Sequence, residues 1–97
     1  PDFPKGLPYK FNPAGFVIHS AIHRARPEIA CIIHTHSLAT MAVSSLERGL
    51  LPMTQTAMRF SRVAYHDYEG VVLTLEEQDR LLANMGDAEA MLLRNHG

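Results

Sequence analysis

The run Cys31-Ile32-Ile33-His34-Thr35-His36 constrains the fold of this 97-residue chain more than any other segment. Its first half is short, apolar and partly β-branched, which predicts a buried strand. Ser37 follows directly and can cap a helix, whose inward face would carry Leu38, Ala42 and Leu46. The pattern therefore predicts a strand that leads straight into a helix.

Further helices and strands are expected on both sides of this run. Asn12 followed by Pro13 predicts a helix start, and the helix should end near Arg26 because Pro27 disfavours helical geometry in the residue before it. The second half predicts short strands at 63–66 and 71–73 around a turn at Gly70. A helix capped by Thr74 and Glu77 and a last strand at 90–93 should follow.

This alternation of helices with continuous apolar strands predicts an α/β domain whose sheet is covered on both faces. Residues 1–11 are dense in proline and glycine and are expected to form an N-terminal arm or loop, and residues 12–97 form the domain. The chain begins with Pro1 rather than methionine, which fits a piece of a longer protein.

His34 and His36 are separated by one residue, so on a strand their side chains project from the same face. Their Cα atoms would lie about 6.6 Å apart, close enough for both rings to reach one divalent ion. A histidine at a strand end can also serve only to cap backbone groups, and two ligands do not make a site. A third ligand is needed.

His96 follows the last predicted strand and is the candidate for that third ligand. In α/β sheets, ligands collect beyond the carboxyl ends of the strands. If the two strands are parallel neighbours, His96 completes a three-histidine set with a fourth position for water or substrate, as in catalytic metal sites. The alternative is an ordinary loop histidine.

Other polar residues are weaker candidates. His19 and His23 have the i, i+4 spacing of helical zinc ligands, but no HExxH carboxylate lies between them, which favours a role in packing or at an interface. His66, among Tyr65, Asp67 and Tyr68, is either a proton-transfer group or part of a polar turn.

Composition narrows the function classes. A formal net charge of −1 with no basic stretch argues against nucleic acid and anionic membranes as partners. The single Cys31 excludes an internal disulfide, fits a reducing compartment and is expected to be a small core residue. No membrane span or signal peptide is recognisable in the sequence, so a cytoplasmic location is expected.

An ordered set of motifs resembles the class II aldolase/adducin family: NPAGFVIHSAIHRARP, CIIHTHS, AVSSLERGLLP, VAYHDYEG and MLLRNHG. The resemblance covers nearly the whole chain. It implies a three-layer α/β/α domain with a mixed central sheet, present here in part, commonly within a homotetramer. It also implies a zinc or similar divalent site whose histidines match His34, His36 and His96.

The implied activity is that of a lyase acting on a small hydroxy-carbonyl substrate. The ion would stabilise an enediolate during aldol cleavage, decarboxylation or dehydration. In the sugar-phosphate aldolases of the family a glutamate near the start of the first helix transfers protons, and alignment from the metal strand puts Gly15 at that position. Glycine there resembles the adducin-like branch, so the alternative is a non-catalytic binding or assembly module.

Overall fold

The computed structural model describes residues 6, 8, 10–69 and 75–97 of the chain. The expected turn at Gly70, the strand at 71–73, the cap at Thr74 and most of the N-terminal arm lie outside the described residues. The elements in chain order are α1 (Pro13–Ala25), α2 (Leu38–Ser44), α3 (Gln55–Met58), β1 (Val63–Asp67), α4 (Leu75–Met85) and β2 (Ala90–Arg94).

Helix α1 begins and ends where the sequence predicts. The Asn12 side chain accepts a hydrogen bond from the Ala14 N–H at 3.0 Å, and Pro13 occupies the first turn, where its missing N–H has no cost. At the other end the Arg26 N–H donates to the Ile22 carbonyl at 2.8 Å, and the chain leaves the helix before Pro27. Ala21 and Ile22 are buried.

Helix α2 is capped by Ser37 as expected, since the Ser37 Oγ accepts from the Thr40 N–H at 3.2 Å. The predicted inward face is wrong: Leu38 is 83% exposed and Leu46 is 56% exposed. The buried residue is Ser44, whose carbonyl accepts from the Asn95 N–H at 3.0 Å. The helix ends at this contact with the turn after β2; Leu38, Ala42 and Leu46 are exposed, whereas Met41 and Val43 are half-buried. The short helix α3 was not predicted.

Strands β1 and β2 form a parallel two-stranded sheet in the register Val63↔Ala90 to Asp67↔Arg94. Helix α4 lies between them in sequence and ends at Met85, and the following Gly86 has a φ of +53°. Helices α1 and α4 pack on each other and α4 packs on β1. The expected α/β alternation is therefore present in this half of the chain.

The expected strand at 31–36 is not formed. Residues 30–36 make no backbone-to-backbone hydrogen bond with the described part of the chain, so the segment lacks the ladder that defines a strand. Ile32 is half-buried against the core, but Ile33 is 80% exposed and Cys31 is also exposed, which corrects its expected core position. An apolar run predicts burial, but a strand also needs a neighbouring strand with which its backbone can form hydrogen bonds.

The core lies between α1, α4 and β2 and consists of Ile22, Leu81, Met85 and Leu93. Leu81, 1% exposed, is its most deeply buried member. Among the described residues no helix has the length and apolar character needed to cross a membrane. One edge of this core borders the predicted histidine site.

Candidate metal centre

The structure brings His34, His36 and His96 together. Their Nε2 atoms are 2.7 Å apart for His34 and His36, 2.9 Å for His36 and His96, and 3.1 Å for His34 and His96. The first two histidines come from the segment before α2, which has no regular secondary structure, and the third comes from the turn after β2. Two regions 60 residues apart in sequence thus supply one cluster.

Local backbone structure fixes both contributors. His36 directly precedes the Ser37 cap of α2. In the turn after β2, Asn95 has a φ of +61°, and the N–H groups of His96 and Gly97 both donate to the Leu93 carbonyl, at 3.0 and 3.1 Å. The Gly97 carbonyl in turn accepts from the Leu93 N–H at 2.7 Å. The turn therefore holds His96 at a defined place beside the end of β2.

Hydrogen bonding cannot account for all three contacts. Each Nε2 atom carries either a proton or a lone pair, so among three mutually close Nε2 atoms at least one pair must be donor with donor or acceptor with acceptor. A cation that accepts all three lone pairs removes this conflict. Ligand nitrogens about 2.0–2.1 Å from a tetrahedral zinc lie roughly 3.3 Å from one another, slightly further apart than these three. The donor set therefore fits a divalent ion.

Electrostatics favour the neutral, ligating form of two of these rings. Partial burial, and then the nearby charges of His36 and His96, lowers the pKa of His34 below its usual 6.5. Burial, followed by the charge of His36, likewise lowers the pKa of His96. A neutral imidazole is the form that binds a metal, so the lowered pKa values of His34 and His96 favour metal binding near neutral pH.

The three histidines line a cavity of about 250 Å³. Apolar wall residues come from α1, α4 and β2, including Leu81 of the core. The Tyr68 ring stacks on the His96 ring, with centroids 4.1 Å apart and planes inclined by 17°. This stacking restricts the orientation of the His96 ring. The cavity also reaches Gly15, His66 and Glu77, so polar groups outside the histidine cluster face the same space.

His66, the expected proton-transfer candidate, lies in this cavity but is only 4% exposed. Its Nδ1 is 2.8 Å from the Asn84 side-chain nitrogen. Its Nε2 has no hydrogen-bond partner among the described residues and lies 3.5 Å from a Glu69 oxygen and 3.9 Å from a Glu77 oxygen. The polar-turn interpretation does not explain this buried, unpaired nitrogen.

Gly15 also lines the cavity, at the position where the resemblance places a glutamate. A Cβ atom added there would approach only the Asn12 Cβ, at 4.0 Å, within the described structure. The position is therefore open, and the missing carboxylate leaves space.

Glu77 is the site residue that the sequence reasoning missed as a cavity group. It was interpreted only as part of a helix cap, yet it is buried, at 6% exposure. A signal was present: Glu77, Leu81 and Met85 follow the i, i+4, i+8 spacing of one helix face. The last two belong to the core, so that face turns inward.

The two remaining histidine candidates lie on α1. The His23 Nδ1 is 3.1 Å from the Ile29 carbonyl, which fits a role at the end of the helix. His19 is half-buried. Neither is a member of the three-histidine cluster.

The chain is similar to proteins of known family. A family model described as class II aldolase and adducin N-terminal domain matches residues 4–97. An aldolase-like class 2 protein of Caulobacter vibrioides is 50% identical over 91 residues, which are 93% of this chain and 35% of that protein. Alpha-adducin of Rattus norvegicus is 46% identical over 87 residues, 89% of this chain and 12% of that protein.

A solved structure shows the same similarity. The crystal structure of an aldolase II superfamily protein from Pseudomonas syringae matches with a TM-score of 0.89 and 52% identity, covering 99% of this chain and 38% of that chain. The present chain therefore spans only part of the length of each of these proteins.

Proposed function

Because the chain belongs to the class II aldolase and adducin N-terminal domain family, we propose that it is part of a metal-dependent lyase acting on a small hydroxy-carbonyl substrate. The observation that carries this proposal is the convergence of three Nε2 atoms within 3.1 Å on a cavity that also holds a buried histidine and a buried glutamate. Metal ligands and proton-transfer groups in one cavity are the requirements of such chemistry.

His34, His36 and His96 would hold the ion, either zinc or another divalent metal. When bound, the ion supplies a positive charge that polarises a carbonyl group and stabilises the negative charge that develops on its oxygen. Tyr68 restrains the His96 ring, and the apolar wall formed by Ile18, Leu81 and Leu93 limits the water around the substrate. Aldol cleavage, decarboxylation and dehydration all use these elements.

The remaining proposals concern the whole protein. Its relatives extend well beyond the matched region, and we propose that the complete domain forms three α/β/α layers with a mixed sheet and assembles as a cytoplasmic homotetramer. The described chain leaves Ile33, Leu38 and Met53 about 80% exposed, at 80%, 83% and 79%. Further chain segments or a second subunit would cover such side chains.

The test combines metal analysis with turnover. The full-length protein is purified, its divalent metals are counted, and a panel of small hydroxy-ketones and hydroxy-acids is screened for cleavage, decarboxylation and dehydration. We expect one divalent ion per chain and turnover that is lost in His96→Ala but kept in His23→Ala, a matched histidine outside the cluster. A protein that turns over these substrates equally well after His96→Ala contradicts the proposal.

A non-catalytic adducin-like binding or assembly module is the second candidate. The similarity to alpha-adducin and the absence of a carboxylate at Gly15 favour it. An assembly module has no need to keep a divalent metal bound to its three histidines. A full-length protein that purifies without stoichiometric metal and catalyses none of the screened reactions would support this function instead.

A further inference from the structure

Glu77 is a buried carboxylate on the cavity wall, only 6% exposed. Among the described residues, one of its oxygens lies 3.9 Å from the His66 Nε2, which is beyond hydrogen-bonding distance, and a Glu69 oxygen lies within 4.8 Å. Burying a carboxylate costs free energy, so such groups are seldom kept in the wall of a cavity without a role. Its side chain faces the same cavity as the three histidines.

The neighbouring Glu69 forms an ion pair with Arg80. Its carboxylate binds the Arg80 guanidinium, with contacts of 2.8 Å from Nη2 and 3.0 and 3.1 Å from Nε. This ion pair stabilises the charge of Glu69 and restrains its orientation. Glu69 also does not contribute to the wall of the cavity. Of the two carboxylates near His66, Glu77 is therefore the one available to a substrate.

His66 is poorly placed to exchange a proton with the substrate directly. Its Nε2 is fully buried and faces the two glutamates. With the Asn84 amide donating to Nδ1, the neutral ring carries its proton on Nε2, directed towards the carboxylates. His66 thus lies behind Glu77, while Glu77 borders the open space.

Resting on the proposed function, we propose that Glu77 is the catalytic acid/base of this site. The carboxylate removes a proton from the substrate carbon next to the carbonyl group. A C–H bond breaks, an O–H bond forms on Glu77, and the electron pair moves towards the carbonyl oxygen. In the reverse step Glu77 returns a proton to that carbon. The role that the family assigns to the Gly15 position is thus supplied from α4 instead of α1.

Proton exchange tests this assignment without knowledge of the natural substrate. The full-length protein, loaded with Zn²⁺, is incubated in D₂O with dihydroxyacetone as the probe, and loss of its C–H signals is followed by NMR. We expect Glu77→Gln to slow exchange by about 10²–10⁴-fold with an unchanged half-saturating concentration of dihydroxyacetone. Glu76→Gln, the same change at the adjacent exposed position, should leave the rate unchanged.

Chemical rescue separates catalysis from structure. Glu77→Ala leaves space for a small carboxylate, so added formate should restore part of its exchange rate, whereas a folding defect would not respond. Metal content is measured in every variant. Full exchange by Glu77→Gln at normal metal content, or no rescue of Glu77→Ala, overturns the assignment and leaves the proposed function standing. No exchange by the fully loaded unmodified protein overturns both.

Discussion

Gly97 lies at the contact between the two parts of the chain that supply the histidines. It is buried, and a Cβ atom added there would lie 2.5 Å from the Thr35 carbonyl oxygen and 3.1 Å from the His36 ring. Gly97→Ala therefore places a methyl group between His96 and the His34-Thr35-His36 segment. The obstructing atom is a backbone oxygen, which cannot move aside as a flexible side chain could.

The size of the effect follows from these distances. A carbon and a carbonyl oxygen in ordinary contact are about 3.3–3.6 Å apart, so the segment must move by about 1 Å. Functional sites tolerate displacements of only about 0.5 Å. Disturbing the groups that orient metal ligands typically lowers metal affinity by about 10–100-fold, and we expect a loss of that order.

Competition with a chromophoric chelator measures the Zn²⁺ affinity of the full-length protein and its variants. Gly15→Ala is the matched control, because that glycine lines the same cavity and an added Cβ approaches nothing described nearer than 4.0 Å. It should keep wild-type affinity and, as a helical glycine, gain about 0.5–1 kcal/mol in free energy of unfolding. Wild-type affinity in Gly97→Ala would refute the reasoning, since the two segments would then not be in close contact.

Three further outcomes are expected. Elemental analysis of the full-length protein should show metal content collapsing in His34→Ala and in His96→Ala; retention in both variants contradicts the three-histidine centre. The unmodified protein should cleave sugar phosphates about 10²–10⁴-fold more slowly than the family's aldolases, because Glu77 borders the cavity from α4 and not from the position of Gly15. Gly15→Glu should fold normally because the position is open; brisk cleavage by the unmodified protein contradicts the alignment of Gly15. Burial lowers the pKa of His34 in the folded state, so the unfolded chain binds the proton more readily. The free energy of unfolding of the metal-free protein should therefore fall as the pH drops below 6.5. Urea titrations on both sides of that pH test this, and equal stabilities would contradict it.

Local signals in the sequence predicted the parts of the fold that depend on neighbouring residues. Asn12, Pro13 and Pro27 define the ends of α1 through capping and backbone restrictions that act within a few residues. The approach of His96 to His34 and His36 was also predicted, although its premise of a strand at 31–36 was wrong; the position of His96 just after β2 was the part of the reasoning that the structure bears out.

Features that depend on distant partners were not predicted. The apolar run at 31–33 gives no information on whether another strand will pair with it, and Leu38 carries no sign of which surface will cover it. Glu77 was missed as a cavity group because a glutamate in the first turn of a helix is fully explained by capping. Only the tertiary contact of α4 with the core shows that its side chain turns inward.

An ion held by His34 and His96 would cross-link positions 62 residues apart. Closing a loop of that length in an otherwise unfolded chain costs about 4 kcal/mol in entropy, comparable to a disulfide of the same span. Unlike a disulfide, this metal cross-link can be removed by a chelator. The segment at 30–36, which has no backbone ladder to the described structure, would lose its main attachment, so its amide protons should exchange first when the ion is withdrawn.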